Sequence, residues 1–90
     1  MASIKGRLKA AGLPTTGRIR FVPRRGYRPT QPLSRGEQHG YIDRFGNEWV
    51  WDQVKGEWDV QLSHTGKAQL GWASPSGEHV NVSPRGEFTH

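Results

Sequence analysis

Asp59 and His79 are the side chains of this sequence best suited to general acid–base chemistry. An imidazole titrates near neutrality and can serve as acid or base, and a carboxylate beside it can orient it or act as the base itself. Such a pair suits a substrate that carries its own nucleophile, and RNA does so in its 2′-hydroxyl. Cutting RNA needs a base near that hydroxyl, an acid near the departing 5′-oxygen and a cation for the charge that builds on phosphorus. Lys67, Lys55 and Arg85 are candidate cations. Gln61 and Asn81 share strand parity with Asp59 and His79 and are candidate RNA contacts, with Arg85, Arg24 and Arg25 as phosphate contacts. This chemistry requires no metal and no cofactor is expected: His79 and His90 are 11 positions apart, with no tight cluster of Asp, Glu or His around them. The bland readings are a solvated carboxylate at Asp59, an exposed turn residue at His64 and a frayed terminus at His90.

The elements that must position these groups are short strands separated by turn residues. Tyr41-Ile42-Asp43, Arg44 to Asn47 and Glu48 to Trp51 together read as a hairpin. Trp58, Val60 and Leu62 alternate with Glu57, Asp59 and Gln61. Ser63 to Gly66 reads as a turn, after which Ala68, Leu70 and Trp72 continue the apolar face and Lys67, Gln69 and Gly71 the polar one. Ser74 to Gly77 is a strong turn signal, and Val80 and Val82 then point inward while His79 and Asn81 point out. Pairing Trp58 with Trp72, Val60 with Leu70 and Leu70 with Val80 keeps every apolar contact on one face. In that register Asp59 and His79 flank Gly71, two strands apart, with backbones roughly 10 Å from each other. Trp58 and Trp72 are expected in the core. The expected fold is mainly β: a small twisted antiparallel meander over residues 37–90, joined to a basic, poorly structured, partly extended N-terminal arm over residues 1–36.

Charge is split along the same boundary. Residues 1–36 hold nine basic side chains and no acidic one, whereas residues 37–90 hold four basic and eight acidic ones. A basic arm on an aromatic-rich body is a common way to hold a polyanion, although a solvated linker or a site for an acidic protein partner has the same composition. Within the arm, Gly6, Gly12, Pro14 and Gly17 interrupt any long helix, and Arg18 to Val22 alternates like a strand ended by Pro23. At 90 residues the chain is too short for a Rossmann fold, a TIM barrel or a multidomain enzyme. No apolar run approaches 18 residues, and no apolar stretch follows the basic start as in a signal peptide. The absence of cysteine excludes disulfide and thiolate chemistry.

Several ordered blocks carry a family resemblance. Gly40-Tyr41-Ile42-Asp43-Arg44-Phe45-Gly46-Asn47-Glu48-Trp49, Glu57 to Ser63, Ala68 to Ser74, Gly77 to Ser83, then Gly86 and Thr89-His90 resemble the type 17 polymorphic toxin domain. Gly17 to Pro23 and Gln31-Pro32-Leu33 resemble its lead-in, so the likeness covers roughly residues 17–90. More loosely, Glu57-Trp58-Asp59-x-Gln61 followed by Gly71-Trp72-x-x-x-x-Gly77-x-His79 resembles the catalytic sheet of the ribosome-cleaving nuclease colicins. The colicin aspartate falls on Asp59, whereas the positions of the colicin histidine and glutamate are occupied by Leu62 and Gly66. The acid–base partners must then come from His79, His90, His64 or Lys67. The resemblances imply a bacterial effector, secreted or delivered, that acts in the target-cell cytoplasm. It would cleave ribosomal or transfer RNA without a metal and be neutralised by a cognate immunity protein. Two alternatives share the residues: a non-enzymatic basic RNA-binding module, and a structural or interaction domain of a secretion or phage particle.

Overall fold

The computed structural model describes residues 3–89. In chain order its elements are α1 (Ile4–Ala10), β1 (Tyr41–Ile42), β2 (Glu48–Asp52), β3 (Glu57–Gln61), α2 (His64–Leu70), a single 3-10 turn (Gly71–Ala73) and β4 (His79–Val82). The strands form one antiparallel sheet in the order β1-β2-β3-β4, the expected meander. Its turns follow from short acceptor side chains that mimic a backbone carbonyl. Asp52 Oδ1 accepts from the amides of Val54 and Lys55 at 3.0 Å each and so folds the β2–β3 connection.

The β1–β2 connection is built around Asp43, which is only 3% exposed. Its Oδ1 accepts from the amides of Phe45 and Asn47, and its Oδ2 accepts from Asn47 Nδ2 and Trp49 Nε1, all at 2.9–3.0 Å. Asn47 passes the network on: its Oδ1 accepts from the amide and the hydroxyl of Ser63, and the Ser63 hydroxyl also donates to Phe45 O. A buried polar network of this kind is tolerated because its members satisfy one another.

Ser63 is the point at which the chain departs from the alternation reading. Its hydroxyl accepts from the Gly66 amide at 3.0 Å, an N-cap, and residues 64–70 are helix α2 rather than a turn and a strand. Gly66, Leu70 and Ala73 are spaced i, i+4, i+7 and turn inward, the helical period that Ala68-Leu70-Trp72 alternation masks. Residue 66 must be glycine, because a Cβ there would run into Asn47 Oδ1. The register that paired Trp58 with Trp72 and Leu70 with Val80 is therefore replaced. β3 pairs directly with β4, Trp58 against Val82 and Val60 against Val80. Trp72, expected in the core, is 56% exposed.

The inner face of the sheet carries Trp49, Trp58, Val60, Val80 and Val82, all buried. Trp49 meets Trp58 and Phe21 in edge-to-face contacts, with ring centroids 6.2 and 5.6 Å apart. The described part of the basic N-terminal segment closes this core. Leu8, Leu13, Ile19 and Phe21 are buried with the strand residues. α1 starts at Ser3, whose hydroxyl caps the Gly6 amide, and lays Leu8 inward. The expected alternation over Arg18–Val22 is seen in burial, with Ile19 and Phe21 in and Arg18 and Arg20 out. It is not a strand, because the two inward residues bond separate partners: Ile19 N donates to Gly86 O and Phe21 N to Pro14 O. The segment is irregular in backbone yet packed through its apolar side chains, and its cations face solvent.

Gly86 marks the closest approach of the two ends of the fold. It adopts φ 86°, and a Cβ there would strike the Thr16 carbonyl. Gly86→Ala is expected to cost about 3 kcal/mol or more, the left-handed backbone and the collision combined. Gly26→Ala is the control, since Gly26 has φ 77° with nothing within 4 Å of a Cβ and exacts only the backbone part, about 1 kcal/mol. Urea midpoints of the two variants would separate these contributions, and equal midpoints would show that the Thr16 contact yields freely.

Candidate functional site

The register sorts the strand residues into two faces, and the one opposite the core collects the candidate chemistry. By register the positions on this face are Glu48, Val50 and Asp52 on β2, Asp59, Gln61 and the buried Glu57 on β3, and His79 and Asn81 on β4. Asp59 faces Asn81 and Val50 across its two neighbours, and Gln61 faces His79. Asp59 and His79 are thus diagonal neighbours on adjacent strands, a relation that places backbones about 7–8 Å apart and leaves side chains of this length within reach of a common ligand. The expected arrangement, with Gly71 as a floor between them, is corrected: Gly71 begins the 3-10 turn after α2.

Local bonds orient both groups. Asp59 Oδ1 accepts from Gln61 Nε2 at 2.9 Å. His79 Nδ1 lies 3.3 Å from Ser76 Oγ, and the Ser74 hydroxyl donates to the His79 carbonyl at 2.5 Å. Both residues are half-buried, as are Gln61 and Asn81. Beyond β4 the chain returns alongside it: Phe88 bridges to Val82, and Thr89 N donates to Asn81 O at 2.9 Å. His90, the next candidate, lies outside the described residues.

The face is rich in carboxylates, and none of its four strands contains Lys or Arg. Two of these carboxylates hold loops. Glu48 Oε2 accepts from the amides of Gln38 and Gly40 at 2.8 and 2.9 Å, and Asp52 holds the β2–β3 turn as described. Cations flank the face rather than line it. Arg85 is exposed in the turn after β4 and Lys55 in the β2–β3 turn. Lys67, expected on the same face, is exposed on α2 and is not brought onto the sheet. Arg24 and Arg25 are exposed on a turn of the N-terminal segment. Among the described residues no group of three or more His, Asp or Glu side chains converges as a metal site would.

One concavity was not anticipated from the sequence. It is a cleft of about 640 Å³ whose lining includes Arg35, His39, Tyr41, Trp49, Trp51 and Trp58. It exists because β1 has only two residues and pairs with Glu48 and Trp49 alone, so Val50 to Asp52 extend past it. Trp51 is left 44% exposed, edge-on to Trp58 at 5.1 Å. The shared parity of Trp49 and Trp51 was a legible signal for this surface; the two-residue length of β1 was not.

A family model described as Ntox17, Novel toxin 17, matches residues 2–90. No curated protein and no solved structure matches, so the looser likeness to nuclease colicins rests on the sequence blocks alone. Among the described residues no helix is long and apolar enough to cross a membrane.

Proposed function

Because the chain belongs to the Novel toxin 17 family, we propose that it is a toxin whose activity is metal-independent endoribonuclease cleavage of ribosomal or transfer RNA. Asp59 and His79 act as the acid–base pair. One takes the proton of the 2′-hydroxyl as that oxygen attacks phosphorus, and the other returns a proton to the departing 5′-oxygen. The bond to the 5′-oxygen breaks, leaving a 2′,3′-cyclic phosphate on one fragment and a 5′-hydroxyl on the other. Gln61 and Asn81 donate amide hydrogen bonds beside the reacting phosphate. Arg85, with Lys67, Arg24 and Arg25 further out, meets the flanking backbone, and His90 serves as an additional acid–base group. A delivered effector of this type acts in the cytoplasm of its target cell, and a cognate immunity protein neutralises it in the producer.

The observation that carries this reading is the diagonal placement of Asp59 and His79 on one sheet face, next to Gln61 and Asn81. Of the carboxylates nearby, Glu48 and Asp52 are engaged by backbone amides. The expected result, with purified protein on intact ribosomes and total tRNA in excess EDTA, is a discrete fragment ending in a 2′,3′-cyclic phosphate. Cleavage abolished by EDTA would overturn the metal-independent mechanism. RNA binding without product would leave a binding module.

A further inference from the structure

The aromatic cleft lies beside the polar face, and its chemistry is specific. Its volume, about 640 Å³, falls within the range of small-ligand pockets. Its rim is held rigid. Arg35 lies over Tyr41, with its guanidinium carbon 4.0 Å from the ring centroid. Its Nη1 donates to His39 O at 2.8 Å and its Nη2 to Tyr41 Oη at 3.1 Å. The loop that carries His39 is pinned by the two amide bonds to Glu48. Within it His39 adopts φ 62°, a left-handed conformation that is uncommon outside glycine and tends to cluster at functional positions.

Flat rings beside a fixed planar cation are the features that recognise an unpaired nucleobase. Single-stranded RNA is bound by stacking bases on aromatic side chains and guanidinium planes, and its phosphates are drawn by positive charge. The chain supplies that charge, +5 overall with nine cations in residues 1–36. The cleft is also adjacent to the polar face. Val50 lines it and is the strand partner of Asp59. Past the end of β1, one RNA strand can cross the edge of β2 from cleft to face, a path that a paired duplex could not follow.

We propose that this cleft is a nucleobase-binding subsite, with Trp51 as the stacking platform and Arg35 as the rim cation, and that it restricts the substrate to single-stranded RNA. The proposal rests on the ribonuclease reading for its biological role, but binding tests it separately. The probe is a short 2′-O-methyl RNA, which cannot be cleaved by 2′-hydroxyl attack, measured by fluorescence anisotropy at fixed salt as a single strand and as its duplex. Trp51→Ala is expected to weaken single-strand binding by about tenfold or more, Trp51→Phe to retain most of it, and the duplex to bind more weakly than the single strand. Ultraviolet crosslinking of the wild-type protein does not depend on the variants folding, and the expected adducts map to Trp51 or Tyr41. Equal binding by Trp51→Ala and wild type would overturn the subsite and leave the cleft to a protein partner. Adducts confined to Trp72 and Phe88 would overturn it as well. Cleavage with no Trp51 dependence of binding sinks this proposal alone; Trp51-dependent binding with no cleavage sinks the ribonuclease reading alone.

Discussion

Asp43→Ala is expected to lose about 4 kcal/mol of folding stability, a large share of the 5–15 kcal/mol typical of a domain. The carboxylate receives four hydrogen bonds, two from backbone amides and two from the side chains of Asn47 and Trp49. Alanine strands four donors around a carboxylate that is only 3% exposed, and stranded donors cost far more than the net gain of making a bond. The damage spreads, because Asn47 holds Ser63, and Ser63 caps α2. Asp43→Asn should lose roughly half as much: one oxygen can still receive the two amides, while the new amide group points its own donors at Asn47 Nδ2 and Trp49 Nε1. Urea unfolding followed by tryptophan fluorescence checks both, and a midpoint for Asp43→Ala close to wild type would show that the network is dispensable.

For the chemistry, Asp59→Asn and His79→Gln are each expected to slow RNA cleavage by about 10²–10⁴-fold, equivalent to roughly 3–5 kcal/mol of transition-state stabilisation. Both substitutions approximate the original shape, and both residues sit on the face away from the core, so urea midpoints should move by less than about 1 kcal/mol equivalent. The double variant should be little worse than the poorer single one, because an acid and a base that serve one proton transfer sequence act as a unit. Single-turnover rates on a defined RNA measure this. If both single variants cut at the wild-type rate, the acid–base assignment fails even if the protein proves to be a ribonuclease.

Much of the sheet was legible because period-two patterning is strong where one face is buried. The inward set of Trp58, Val60, Val80 and Val82 and the hairpin around Asp43 to Asn47 follow from alternation and turn residues. α2 was not legible as a helix. A segment of only seven residues fits either period, and what decides between them is the Asn47–Ser63 contact, made by residues 16 apart in sequence. That single error displaced the register by a whole strand. Even so, the same parity put Asp59 and His79 on one face, and removing the spurious strand brought them closer. Lys67 was lost from the face for the same reason. In the N-terminal segment alternation marked Ile19 and Phe21, whereas the packing of Leu8 and Leu13 escaped because they stand singly among conspicuous charges, glycines and a proline.

The contact between residues 16–19 and the Gly86 turn also governs timing. The Ile19 amide cannot find its acceptor until residue 86 is present, and Val80 and Val82, against which the early apolar residues pack, arrive scarcely sooner. The loop between these distant positions therefore closes late in folding, the slow step in a topology of non-local contacts. The polar face obeys the same clock, because Asp59 meets Asn81 and Gln61 meets His79 only when β4 docks. On the proposed assignment, a chain lacking β4 has no aligned acid–base pair, because Asp59 and His79 come together only when that strand docks.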